Sequence, residues 1–269
     1  MMKRMLIVSG IFGSLFASAE NSRLHLNSLF ESQPLRTTFS DNFQHPSLPQ
    51  WEKMNHTFGC NETQFNPNNI VADHDGLTLH MTHAPTPERN MSGAEVTADG
   101  RFFGGTGNRN FHYGRFEVRL KMTKAPGTVA SFFLYRSDPW QEIDIEFLGR
   151  DTRTIQFNVF YNDGPEGTEK NEPIMFPIRL SLPFDAADDF HTYAFEWGDG
   201  EIRWYIDGQL FHTRKDPATT PNLPMTLRMN YWATCDSASD WAGKFNPGSL
   251  PLSVQYKGVR VHQLASPQK

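Results

Sequence analysis

The sequence predicts an all-β protein, a β-sandwich or jelly roll, on three observations. Short runs rich in β-branched and aromatic residues recur along the chain. Turn dipeptides such as Asp75-Gly76, Asp99-Gly100, Gly104-Gly105 and Asp207-Gly208 separate them. No helical periodicity runs beyond about two turns, Asp185 to Phe190 being the best stretch, which disfavours alternating α/β architectures. At 269 residues the chain suits one large sandwich domain.

In chain order, Lys3 and Arg4 precede an apolar stretch from Met5 to Phe16 and the small residues Ala17-Ser18-Ala19. This is the pattern of an export signal over residues 1–19, with the mature chain starting at Glu20. The same residues also allow an N-terminal helix packed on the core. Residues 20–36 are polar without sustained periodicity and read as an N-terminal arm or linker, and residues 37–265 as the folded domain. Strands are expected over Leu77 to Met81, Arg115 to Met122, Val129 to Tyr135, Glu142 to Phe147, Ile155 to Tyr161, Tyr193 to Trp197, Glu201 to Ile206 and Met225 to Tyr231. Asp207-Gly208, between Arg203-Trp204-Tyr205-Ile206 and Gln209-Leu210-Phe211, marks a tight hairpin. The stretch from Gly164 to Pro183, rich in glycine, proline and charge, reads as a long surface loop.

Composition narrows the function classes. The formal net charge of −5, with both signs interspersed, offers no basic stripe for nucleic acid or an anionic membrane. Beyond the first residues no stretch approaches the roughly 18 apolar residues that span a bilayer, so the exported chain is expected to be soluble, extracellular or periplasmic, and monomeric. The 22 Phe, 7 Tyr and 6 Trp exceed what packing requires and suit a groove that stacks flat sugar faces. The 10 His are scattered without metal-ligand spacing, so no catalytic metal is expected, and His112 and His191 read as structural. An oxidising compartment favours a Cys60–Cys235 disulfide, although sequence alone also allows two separate buried thiols. The sequons at Asn55, Asn61 and Asn90 could carry glycans only in a eukaryotic secretory pathway.

The chemistry concentrates in Glu142-Ile143-Asp144-Ile145-Glu146. On a strand, alternate residues share a face, so the three carboxyls project one way and the isoleucines the other. Like charges side by side disfavour pairing, so folding alone gives no reason to gather them. Residues four apart have Cα atoms roughly 13 Å apart, and glutamate side chains leaning inward by about 4 Å each leave a gap near 5 Å. Retaining glycosidases hold their two carboxyls about 5–5.5 Å apart. Asp144 between them can raise the pKa of the group that must stay protonated. Spacing by itself still allows a solvated acidic strand face.

The surrounding strings resolve that choice. Ser131-Phe132-Phe133-Leu134-Tyr135 followed by Asp138-Pro139-Trp140-Gln141 and the acidic strand, Tyr113-Gly114-Arg115-Phe116-Glu117-Val118-Arg119, Gln156-Phe157-Asn158, Asp189-Phe190-His191-Thr192-Tyr193-Ala194-Phe195-Glu196-Trp197, Tyr205-Ile206-Asp207-Gly208 and Met229-Asn230-Tyr231-Trp232 resemble, in that order, glycoside hydrolase family 16. The likeness is strongest to the bacterial lichenases, endo-β-1,3-1,4-glucanases, and covers most of the chain from about Phe39 to Val261. It implies a concanavalin A-like jelly roll of two stacked antiparallel sheets with a concave substrate cleft, and hydrolysis of a β-glucan by retaining double displacement. By position, Glu142 matches the nucleophile, Glu146 the acid/base and Asp144 the assisting carboxylate. Trp140 matches the aromatic beside the nucleophile, Glu95 a sugar-binding glutamate, Asn158 and Asn230 polar groove residues, and Phe133, Tyr135 and Trp232 cleft aromatics. The five-residue E-x-D-x-E form favours lichenases and the xyloglucan-active branch over branches with a bulged motif.

Departures stand beside the match. Thr97 occupies the place of the arginine that lichenases usually carry two residues after the Glu95 position, Phe160 replaces their usual tyrosine at a substrate-binding position, and Cys60–Cys235 is not their usual pair. The resemblance implies no cofactor for catalysis and, in some members, a structural calcium to which no residue here can be assigned. A xyloglucan-type transglycosylase would use the same two glutamates but pass the glycosyl group to a sugar. A noncatalytic glycan-binding module would have lost a carboxylate, whereas both are present.

Overall fold

The computed structural model describes residues 28–101, 107–164 and 174–264. The export signal and residues 20–27 of the polar arm lie outside the described residues. In chain order the strands are β1 (Leu35–Asp41), β2 (Trp51–Lys53), β3 (Thr63–Phe65), β4 (Ile70–Asp73), β5 (Gly76–Met81), β6 (Met91–Ala98), β7 (Asn110–Phe111), β8 (Gly114–Lys121), β9 (Thr128–Ser137), β10 (Trp140–Leu148), β11 (Thr154–Tyr161), β12 (Ile174–Met175), β13 (Ile178–Ser181), β14 (His191–Gly198), β15 (Glu201–Ile206), β16 (Gln209–Lys215), β17 (Met225–Ala233) and β18 (Leu252–Leu264).

They form two stacked sheets. The back sheet runs β16-β15-β14-β8-β18-β5-β4, with β1 joined to β18. The cleft sheet runs β12-β11-β10-β9-β17-β6-β2, with β13 on β11, β3 on β6 and β7 on β17. Their pairings are antiparallel except β3 with β6. Between the sheets, the inward residues of the cleft sheet, Ile143, Ile145 and Phe147 on β10, Phe132 and Leu134 on β9, and Leu227, Met229 and Tyr231 on β17, are fully buried. They meet Tyr193, Phe195 and Trp204 of the back sheet: Phe147 packs edge-on to Tyr193 at 4.8 Å, and Phe157 stacks on Trp204 at 5.1 Å. Each such side chain contributes roughly 1.5–3 kcal/mol. A one-residue slip of β10 would exchange Ile143 and Ile145 for carboxyls in the core, so this packing fixes which face the carboxyls take.

Differences from the sequence reading have local causes. Leu35 and Arg36, placed in the polar arm, begin β1 and pair with Leu264 and Gln263. Ser28 and Phe30 are buried, and the Glu196 carboxylate accepts from Ser28 Oγ at 2.9 Å and Leu29 N at 2.6 Å. The C-terminal part of the expected Gly164–Pro183 loop forms β12 and β13, both paired to β11. Their exposed residues and the intervening Pro177 hide them from pattern reading. Asp185 to Phe190 is a run of turns, organised by a buried Asp185 carboxylate that accepts from Thr152 Oγ1 at 2.5 Å and pairs with Lys124 at 2.6 Å. The Asp207-Gly208 hairpin is present, both residues having positive φ (49° and 78°), as a two-residue turn of the primed type requires.

Cys60 and Cys235 form a disulfide with Cα atoms 4.8 Å apart, tying the loop before β3 to the end of β17. No helix among the described residues is long and apolar enough to cross a membrane. Among those residues the side chains grouped like metal ligands are Asp73, His74 and Asp75, all exposed. The Lys257 ammonium stands 3.6 Å from the Asp75 carboxylate.

Candidate active site

A cleft of about 960 Å3 crosses the outer face of the cleft sheet. Its floor is built by period-two alternation on five adjacent strands: Glu142, Asp144 and Glu146 from β10; Ser131, Phe133 and Tyr135 from β9; Gln156, Asn158 and Phe160 from β11; Arg228, Asn230 and Trp232 from β17; and Glu95 from β6. Register sets Glu142 between Tyr135 and Phe160, Asp144 between Phe133 and Asn158, and Glu146 between Ser131 and Gln156.

Each outer carboxyl has one dedicated donor. Trp140 Nε1 donates to Glu142 Oε2 at 2.7 Å, and Gln156 Nε2 donates to Glu146 Oε2 at 2.7 Å. Gln156 is itself oriented, its Oε1 accepting from Arg179 Nε at 2.9 Å and Trp241 Nε1 at 3.1 Å. Trp140 stacks on Phe160 at 5.2 Å with planes 11° apart, which holds its indole N–H over Glu142.

Electrostatics separate the three groups from ordinary surface acids. Burial pushes Glu142 up to about 7 against the hydrogen bonds from Trp140 and Asp144 that draw it down. Burial also pushes Glu146 up to about 7, opposed by the Gln156 hydrogen bond and the Arg179 charge. Asp144 is raised well above the carboxylate range, first by burial and then by the charges of Glu142 and Glu146. An ionised carboxylate only accepts, so the hydrogen bond between Asp144 and Glu142 requires a proton on one of them. Near neutral pH the triplet therefore shares protons and titrates as a unit. An ionised and a protonated carboxyl side by side are what combined nucleophilic and acid catalysis needs.

Every cleft residue expected from the sequence lines this cleft: Glu95, Phe133, Tyr135, Trp140, Glu142, Asp144, Glu146, Asn158, Phe160, Asn230 and Trp232. Trp232 is also packed with Phe65, Val129, Leu148 and Ala242 in a small core of its own. His191, read as structural, stacks on Phe184 at 3.5 Å and pairs with Asp207 at 2.7 Å, outside the cleft lining. Sequence reasoning missed Ser131, Gln156 and Arg228 as cleft residues, although alternation from Phe133, Asn158 and Asn230 marks their faces. It also missed Met54, His56 and Phe58 from the loop before β3, Met175 and Arg179 from the lip, and Trp241, for which no periodic signal exists.

The glycosyl hydrolases family 16 model matches residues 55–247. A beta-glucanase of Brevibacillus brevis is 36% identical over 249 residues, covering 88% of this chain and 86% of that protein. A beta-glucanase of Bacillus subtilis (strain 168) is 34% identical over 265 residues, 95% of each chain. Among solved structures, a prokaryotic beta-1,3-1,4-glucanase (lichenase) from a mouse hindgut metagenome superposes with a TM-score of 0.70 at 30% identity, covering 83% of this chain and 97% of that one. With this match spanning the acidic strand and its cleft, the chain belongs to glycosyl hydrolases family 16.

Proposed function

We propose that the protein is a secreted endo-β-glucanase that hydrolyses mixed-linkage β-1,3-1,4-glucan with retention of anomeric configuration. The observation that supports this most directly is the acidic triplet on the floor of an open cleft whose walls are aromatic. The cleft is open enough to take an internal stretch of a polysaccharide, and aromatic faces stack on pyranose rings. The beta-glucanase relatives and the lichenase structure favour a β-glucan, and mixed linkage among β-glucans. Export follows from the N-terminal signal pattern of residues 1–19.

In this reading an ionised Glu142 oxygen attacks the anomeric carbon while the glycosidic C–O bond breaks. Glu146 gives its proton to the departing sugar oxygen, leaving a glycosyl ester on Glu142. Glu146, now ionised, takes a proton from a water whose oxygen attacks the same carbon, and the Glu142 carboxylate is released. Asp144 holds a proton beside Glu142 and limits the charge on the strand. Protons pass only between carboxyls, sugar oxygen and water, so the reaction needs no cofactor.

The test is chemical. Wild-type protein should release reducing ends fastest from mixed-linkage glucan among a panel with laminarin, xyloglucan and agarose. Glu142→Ala should lose turnover by several orders of magnitude, and azide filling the vacated space should give a glycosyl azide of inverted configuration. Glu146→Ala with azide should give the retained product. An inverted first product from the wild type, or near-normal activity of Glu142→Ala, would overturn the assignment.

A further inference from the structure

We propose that Arg228 is a positioning residue of the hydrolytic site, one that orders Glu95 for a sugar hydroxyl and sets a fixed positive charge beside Glu142. The inference rests on the proposed role of Glu142 as nucleophile.

The argument begins with register. On β17 and β6, Arg228 lies opposite Thr97 and Asn230 opposite Glu95, all four on the face that bears the cleft. Glu95 is 2% exposed, so its carboxylate survives there only if both oxygens are paired. Arg228 Nη1 donates to Oε1 at 3.0 Å, Asn230 Nδ2 donates to Oε2 at 3.1 Å, and His56 Nε2 stands 3.8 Å from Oε1. Thr97, small and buried, is the residue that stands where lichenases usually carry an arginine. In this chain a guanidinium stands directly across the sheet from Thr97, on Arg228, and it meets Glu95.

Two further contacts connect this pair to the reacting groups. The Arg228 guanidinium lies over the Tyr135 ring, 4.7 Å from its centroid, and Tyr135 is the register partner of Glu142. Burial raises Glu142, and the Arg228 charge is among the influences that draw it back toward ionisation. The titratable groups facing this charge are His56 on the loop before β3, Glu95 on β6, Tyr135 on β9 and Glu142 on β10, with Asp144 and Glu146 beyond. The second observation is a pair of unused polar atoms. Arg228 Nε and Asn230 Oδ1 are buried and have no hydrogen-bond partner among the described residues. One is a donor and the other an acceptor, two residues apart on one strand face, so a sugar hydroxyl that both accepts and donates pairs them once substrate binding opens the side chains toward the cleft. Buried polar atoms left unpaired are costly, so a ligand that pairs them gains affinity from the same site.

The experiment compares wild type, Arg228→Met, Arg228→Lys and the double variant Thr97→Arg/Arg228→Met on mixed-linkage glucan, with kcat, KM and full pH profiles and with folding checked by circular dichroism. Arg228→Met should lower kcat/KM about 100-fold, as expected when one partner of a buried charge pair is removed. Its acidic limb in kcat/KM should move to higher pH, because Glu142 loses a charge that favours ionisation. Arg228→Lys should keep the limb near its wild-type position while KM stays raised, since an ammonium supplies charge without the fork. Thr97→Arg/Arg228→Met should recover at least tenfold of the loss. The proposal is overturned if folded Arg228→Met stays within threefold of wild type, if activity falls with no movement of the limb, or if the double variant recovers nothing. A wild type inactive on every β-glucan would instead overturn the functional reading itself.

Discussion

Glu142→Gln should abolish turnover and, at alkaline pH, stabilise the fold. Burial holds the Glu142 carboxyl at about 7 in the folded protein, against 4.5 for the free side chain. Well below pH 4.5 the group is protonated in both states, and its contribution to stability is fully present. As pH rises through 7 the folded state must ionise a buried carboxyl that the unfolded chain ionised earlier, and that contribution is lost. At 1.36 kcal/mol per pKa unit the loss has an upper bound of about 3–4 kcal/mol. Proton sharing with Asp144 and the partial opening of the carboxyl to the cleft reduce it to about 1–2 kcal/mol. Glutamine never ionises, and its carbonyl still accepts from Trp140 Nε1, which donates at 2.7 Å in the wild type. Urea unfolding of both proteins at pH 3.5 and pH 8.5 reads the effect directly. Similar midpoints at pH 3.5 and a midpoint for the variant higher by about 0.3–2 M at pH 8.5 are expected, given slopes of roughly 1–3 kcal/mol per M. Equal midpoints at both pH values, or a less stable variant at pH 8.5, would refute the claim that ionising the buried Glu142 carboxyl costs stability.

Two other perturbations follow from the same geometry. Gln156→Leu removes the hydrogen bond that draws Glu146 down, so Glu146 should hold its proton to higher pH and the basic limb of the kcat profile should move alkaline, with a loss of rate; an unmoved limb counts against Gln156 as the group that tunes Glu146. Cys60→Ser/Cys235→Ser opens a link between residues 175 apart in sequence and should cost up to about 4–5 kcal/mol, read as a lower urea midpoint. Because the neighbouring backbone bonds of Glu62 to Ala233 and Cys235 to Cys60 persist, at 2.9 and 3.0 Å, kcat should change less than stability does.

What could be read from the chain, and what could not, divides by the range of the interaction. All the strands named from the sequence are present, because each is a short run rich in β-branched and aromatic residues bounded by turn signals, and that signal lies within one strand. β6 escaped because its inward residues are Ala94, Val96 and Ala98, and because Gly93 is forced by close packing: a Cβ there would stand 2.6 Å from the Tyr231 carbonyl oxygen. β18 escaped because its pairing shifts between Tyr256 and Gly258, which breaks the alternation in mid-strand.

The site divides in the same way. Glu142, Asp144 and Glu146 were legible as a set because period two is a property of five consecutive residues. Arg228 and Glu95 are 133 residues apart, and their contact depends on how β17 and β6 align, which a single sequence does not encode in any local pattern. Read along the chain, Thr97 is therefore only a departure from the lichenase pattern. Read across the sheet, the same face of the cleft carries a guanidinium on the neighbouring strand, Arg228, in contact with Glu95. A substitution on a β-sheet surface is compensated by whichever residue shares its face and its neighbours. For a cleft built on five strands, those neighbours are the cross-strand partners before they are the residues next in sequence.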